Sequence, residues 1–285
     1  MTKVLISILC LIFYVDSSYS QGLSPYTLFN GKGKKVKYSK LFKSALKQDI
    51  VFFGEEHNSA IAHWLQLRLT KDCAASRPLV LGAEMIERDN QDELDAYLKG
   101  EITARQLDST ARLWPNYKTD YAPLVNFAKE KNYPFIGTNI PRRFASQVSR
   151  RGLESLDSLN TEEKSWIAPL PILYDGELAC YKNMLNMMPG HSSPNLPKAQ
   201  AIKDATMAYF ILNSMIPGSL FIHYNGTYHS ENDEGIIWYL KKNAPGIKYL
   251  TIATVTQNQI KTLDKEHIGK AHFILCVDED VTTTY

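Results

Sequence analysis

Six short apolar runs constrain this chain more than any other feature: Ile50–Phe53, Leu79–Ala83, Pro134–Gly137, Ser219–His223, Tyr249–Val255 and His272–Val277. None alternates apolar with polar residues in the manner of a half-solvated strand, so each reads as a strand covered on both faces. Between them lie segments with helical spacing. Ile61, Leu65 and Leu69 follow the first run, and Leu94, Tyr97 and Leu98 follow the second. Tyr121, Leu124, Val125 and Ala128 precede the third, and Ile202, Met207, Phe210, Ile211 and Met215 precede the fourth. Strand alternating with helix predicts an α/β protein, a mainly parallel central sheet flanked by helices. The stretch of about 141–196 breaks that rhythm. It carries no convincing strand, is interrupted at Pro169, Pro171 and Pro189, and reads as a helical insertion or lid rather than a separate domain.

The first residues belong to a different class. Lys3 is followed by an apolar run from Val4 to Val15, and Ser18 and Ser20 provide small residues before Gln21. That pattern is a cleavable export signal over residues 1–20. An uncleaved anchor is the alternative, although the run falls short of the roughly 20 apolar residues of a membrane span. Cys10 lacks the small preceding residue of a lipobox. The expectation is an exported protein of the periplasm or cell envelope, with residues 21–285 forming one α/β domain.

A net charge of +2 gives no basic field for nucleic acid. Lys32, Lys34, Lys35 and Lys37 are expected to lie on a solvated edge before the first strand. Cys73, Cys180 and Cys276 are too irregularly spaced for a disulfide framework, though one bridge with a spare thiol is permitted.

Chemistry concentrates where strands end. In an open α/β sheet, ligands sit outside the carboxyl ends of the strands. Gly54-Glu55-Glu56-His57 follows the first run, and Gly226-Thr227-Tyr228-His229 repeats the Gly-x-x-His pattern after the fourth. Glu84 ends the second run, and Asn139 with Arg142 follows the third. Carboxylates and imidazoles gathered in this way suit metal binding or acid–base work. The bland alternatives are an acidic first helical turn for Glu55 and Glu56, and a salt bridge from Glu84 to Arg142 or Arg143. His57, Glu84 and His229 are expected to converge. His223, His267 and His272 are read as structural.

In this order the chain resembles the ChaN-like haem-binding uptake family of the Tiki, TraB and erythromycin-esterase-like superfamily. The resemblance rests on Gly54-Glu55-Glu56-His57 with His63, on Glu84, and on Trp114 with Tyr121-Ala122-Pro123. It continues through Asn139-Ile140-Pro141-Arg142, Ala199-Gln200 leading to Asp204-Ala205-Thr206-Met207-Ala208, and Gly226-Thr227-Tyr228-His229. Tyr224-Asn225, where smaller residues are expected, and the missing lipobox are its departures.

The resemblance implies haem or porphyrin binding in iron acquisition, with haem held between two subunits, a tyrosine on the iron and a histidine near a propionate. Outer-membrane uptake machinery would be a further partner. Tyr121 is the preferred ligand, with Tyr174, Tyr181, His191 and Arg142 as further haem contacts. The helical region, with Leu173, Met184, Met187 and Met188, is expected to supply the apolar face. The superfamily equally implies the alternative of a metal-dependent hydrolase. There Glu55 or His57 would activate water, and His57, Glu84 and His229 would be metal ligands or a proton relay.

Overall fold

The computed structural model describes residues 23–187 and 193–285, so the export segment, Met188 and His191 lie outside the described residues. The strands are β1 (Tyr26–Asn30), β2 (Ile50–Glu55), β3 (Leu79–Glu87), β4 (Phe135–Asn139), β5 (Leu220–Gly226), β6 (Tyr249–Gln257) and β7 (Phe273–Asp278). They form one seven-stranded sheet in the order β1-β7-β6-β2-β5-β3-β4. Every pairing is parallel except that of β1 with β7.

Among the described residues, ten α-helices accompany the sheet. They are α1 (Tyr38–Ala45), α2 (Ala60–Ala74), α3 (Gln91–Lys99), α4 (Ala104–Thr110) and α5 (Ala122–Lys131), then α6 (Arg142–Arg151), α7 (Thr161–Lys164), α8 (Ala179–Met187), α9 (Leu196–Asn213) and α10 (Ile236–Asn243).

The absence of alternation in the apolar runs is explained by cores on both faces of the sheet. Val51, Phe53, Leu79 and Leu81 point to one side, where Leu65, Leu69, Leu124 and Val125 of α2 and α5 meet them. Ile50, Phe52, Val80 and Phe221 point to the other, against Met207, Ile211, Ile236 and Leu240 of α9 and α10. Each fully buried phenylalanine contributes about 1.5–3 kcal/mol relative to exposure. Helix starts follow side-chain caps: Ser59 accepts from the Ala62 N–H, and Thr103 and Gln106 make a reciprocal capping box. At the amino end of the sheet, the Arg77 guanidinium donates to the carbonyls of Leu46, Gln48, Gly218 and Ser219, tying together the segments that enter β2 and β5.

The 141–196 segment is helical as expected and contains no strand among the described residues. Phe144, Val148, Leu156 and Ile167 pack against Ala199 and Ile202 of α9, so the segment shares a core with the helix that follows it. One expectation is corrected, and one open question is answered. The lysines of 32–37 follow a strand rather than precede the first one. In β1 only Leu28 and Phe29 are buried, because the strand sits at the edge of the sheet, with no more than the isolated Phe29–Lys35 bridge besides β7. Cys73, Cys180 and Cys276 are buried as free thiols, so the permitted disulfide does not form among the described residues. No helix among the described residues is long and apolar enough to cross a membrane.

Candidate functional site

The carboxyl ends of β2, β5, β3 and β4 lie side by side, and this brings the two Gly-x-x-His segments together. Gly54 pairs with Asn225 and Glu55 with Gly226 in the β2–β5 register. The two glycines serve close approach. A Cβ on Gly54 would lie 2.7 Å from the Ile252 carbonyl oxygen and 2.9 Å from Thr227 Cα. A Cβ on Gly226 would lie 2.9 Å from His57 Nε2 and 3.5 Å from Glu84 Oε2. His57, Glu84 and Gly226 are therefore neighbours, although they come from the turn that follows β2, from β3 and from β5.

Two hydrogen-bonded networks meet at Gly226. The first is centred on Glu55, whose carboxylate is fully buried. Its Oε1 faces His57 Nδ1 at 2.9 Å and accepts from the Tyr121 hydroxyl at 2.7 Å, and its Oε2 accepts from the Gln66 amide at 2.5 Å. Burial lowers the His57 pKa, but the hydrogen bond to Glu55 and the charge of Glu84 outweigh it, so the net shift is upward. The imidazole remains 32% exposed, lies against the Trp114 indole with ring centroids 4.8 Å apart, and has no hydrogen-bond partner on Nε2 among the described residues. His63 turns inward. Its Nε2 lies 3.0 Å from the His57 carbonyl oxygen, which also accepts from Asn116. The Asn116 amide and the Thr284 hydroxyl in turn donate to Asp120.

The second network surrounds His229, which is 5% exposed and sits in the 3-10 turn Thr227–His229. Its Nε2 is 3.1 Å from Glu84 Oε1, and its Nδ1 is 2.5 Å from Asp204 Oδ1. Asp204 also accepts from the Tyr181 hydroxyl at 2.9 Å, and Glu84 accepts the Gly226 N–H at 2.7 Å. Burial opposes charge on His229, yet the carboxylates of Glu84 and Asp204 dominate and raise its pKa to about 10. The ring is thus an imidazolium at neutral pH. Burial likewise opposes charge on Glu84, but the imidazolium of His229 holds its pKa well below the usual carboxylate range. Asp204 is shifted upward by its burial.

His57, Glu84 and His229 come together as expected, but both nitrogens of His229 and both oxygens of Glu84 are consumed by these bonds. Among the described residues no group of three His, Cys, Asp or Glu side chains is arranged to hold a metal ion. Nor does Glu84 pair with Arg142 or Arg143; Arg143 pairs with Asp89 instead.

Tyr121 is 2% exposed with its hydroxyl committed to Glu55, and Tyr181 is fully buried with its hydroxyl on Asp204. Burial and the adjacent carboxylates drive both phenol pKa values far upward, which opposes the tyrosinate form that iron requires. In this conformation both hydroxyls are committed to carboxylates. Tyr174 differs in access rather than in the direction of its shift: burial raises its phenol pKa as well, but it is 36% exposed and rests on the Tyr181 ring. Arg142 is exposed at the start of α6.

Gln66, Asn116 and Asp120 belong to no motif that singles them out in the sequence, and Asp204 enters there only through the family resemblance. Only Asp204 left a signal: a carboxylate set among mostly apolar residues, on a helix most of which is buried, needs a partner there.

A seven-stranded, mostly parallel sheet between helices, with polar side chains gathered at the strand ends, defines an α/β protein of the doubly covered type. The chain belongs to the family described as haem-binding uptake, Tiki superfamily, ChaN, whose model matches residues 41–240. Among solved structures it is similar to ChaN of Campylobacter jejuni, described as binding haem cofacially, at 16% identity and a TM-score of 0.66, covering 89% of this chain and 97% of that one. It is also similar to a succinoglycan biosynthesis protein (14% identity, TM-score 0.49, 76% and 68% covered). A further similarity is to an erythromycin esterase variant (12% identity, TM-score 0.47, 88% and 83% covered). At these identities the likenesses concern the fold alone. No curated protein matches the chain.

Proposed function

We propose that this chain binds haem on the apolar face of its helical segment, with the Tyr174 phenol as the oxygen offered to iron. Membership of the haem-binding uptake family supports the ligand class. The observation that carries the site is the exposure of Tyr174, which separates it from the buried Tyr121 and Tyr181. The neighbouring residue Leu173 is exposed and lines a cavity with Pro169, Pro171, Ile172 and the exposed Tyr209, which offers apolar surface next to Tyr174 in the chain. Haem bound there would supply the iron, and the chain's part is to offer an oxygen and cover the ring. A pairing of two copies around haem, export, and a role in iron acquisition complete the reading. The test is haem titration followed by the Soret band. Tyr174→Phe is expected to weaken binding at least tenfold and to alter the spectrum, while His57→Ala with His229→Ala keeps the Tyr174-type spectrum. Equal binding by Tyr174→Phe and the unaltered chain would remove the assignment.

One observation favours a second reading, hydrolysis at the sheet rim. His57 presents an unpartnered Nε2 while Glu55 orients its other nitrogen, the arrangement of a general base. Turnover of an ester panel that disappears in His57→Ala would support it. No turnover by the unaltered chain would end it.

A further inference from the structure

Beside His57, the Trp114 indole forms one wall of a second cavity of about 520 Å³, lined by Glu87, Arg112, Arg142, Arg143 and Ser146. It shares no lining residue with the cavity lined by Leu173 and Tyr209. Three guanidiniums gather here and two carboxylates answer them. Arg112 lies 3.3 Å from Glu87 and 2.5 Å from Asp89, and Arg143 also pairs with Asp89. Arg142 makes no ion pair or hydrogen bond among the described residues, so one positive charge is left over in the cluster. An arginine fork without a partner, beside an aromatic wall, matches a ligand that joins a planar anionic group to an apolar body.

We propose that this cavity binds an organic carboxylate, the anion held by Arg142 and the apolar portion lying on the Trp114 indole. A single uncompensated charge favours a monoanion over a more highly charged phosphate group. Because Trp114 also packs against His57, the site holds its ligand behind the wall it shares with that imidazole. The site is independent of haem binding at Tyr174.

The experiment uses phenylacetate and its neutral isostere phenylacetamide as probes on the full chain. Indole Nε1–H resonances are followed by NMR, with the Trp114 signal identified by its loss in Trp114→Phe. Phenylacetate is expected to shift the Trp114 signal saturably and to bind at least tenfold more tightly than phenylacetamide. Arg142→Gln, which breaks no internal bond, should abolish that preference while leaving the thermal midpoint unchanged. Equal binding of acid and amide, no shift with either probe, or a preference that survives in Arg142→Gln would each overturn the proposal. Haem titration of Arg142→Gln is read separately, so loss of the carboxylate site and failure of the haem reading give different results.

Discussion

Replacing His229 by Phe keeps a ring of similar size in the turn after β5 and removes both N–H groups. Glu84 and Asp204 would then face each other's charge in the protein interior with no cation between them. Breaking a buried ion pair by removing one partner costs about 3–5 kcal/mol. In a domain of this size that lowers the urea midpoint by roughly 1–2 M. The pH dependence carries the sharper test. The folded pKa of His229 is raised from 6.5 to about 10, so its contribution is complete below about pH 6.5 and is lost as pH rises through 10. The folded pKa of Glu84 is lowered, so its contribution is present above about pH 4.5 and fades as pH falls below that. The difference between the unaltered chain and His229→Phe is therefore greatest at about pH 5–6.5 and shrinks on both sides. Urea unfolding at about pH 6 and about pH 9.5 measures it. A triple variant, Glu84→Gln with Asp204→Asn and His229→Phe, strands no charge and is expected to lose less than His229→Phe alone. A gap that is identical at the two pH values, or below about 1 kcal/mol at pH 6, would refute the buried imidazolium.

Two further outcomes follow from the rim. Gly54→Ala drives its Cβ into backbone atoms of β6 and of the segment after β5, and is expected to cost about 2–3 kcal/mol. Gly226→Ala meets instead the end of the His57 side chain, so it costs less but displaces the imidazole, visible as a changed His57 titration by NMR; the reverse order of stabilities would contradict the contact geometry. Tyr121→Phe removes a donor from the buried Glu55 and is expected to destabilise by about 1–3 kcal/mol in urea melts while leaving the haem spectrum unchanged. A spectral change there would restore Tyr121 as a haem contact.

The sheet was legible because burial on both faces writes itself into sequence as unbroken apolar runs, and Ile50–Phe53 is the plainest case. β1 escaped because an edge strand needs few apolar residues, and Tyr26–Asn30 offers only Leu28 and Phe29 to the core. At the rim, Glu55, His57, Glu84 and His229 were legible through their place at strand ends. The partners that decide their charge were not, since Asp204, Gln66 and Asp120 come from helices and turns whose orientation depends on packing. Tyr121 shows the same limit. Its aromatic ring and Pro-containing neighbourhood announce a constrained residue, but only the fold reveals that the π-helical turn Tyr117–Tyr121 points it inward onto a carboxylate.

The strand order has a consequence for how the chain acquires its centre. β2 and β3 are consecutive in sequence, yet β5 lies between them in the sheet, about 130 residues later than β3. β3 can pair with β4 beforehand, but its other edge and both edges of β2 lack their neighbours until β5 and β6 arrive. The Glu84 carboxylate, expensive to bury alone, waits for β5 as well, since its partners Gly226 and His229 arrive with that strand. Loop closure over such a separation is slow, and an open gap between β2 and β3 exposes two unpaired strand edges in the meantime. During synthesis the chain can therefore complete neither its sheet nor its rim until the segment through His229 has emerged. A late, concerted closing step follows from this topology, and stalled chains ending before β5 are the species expected to aggregate.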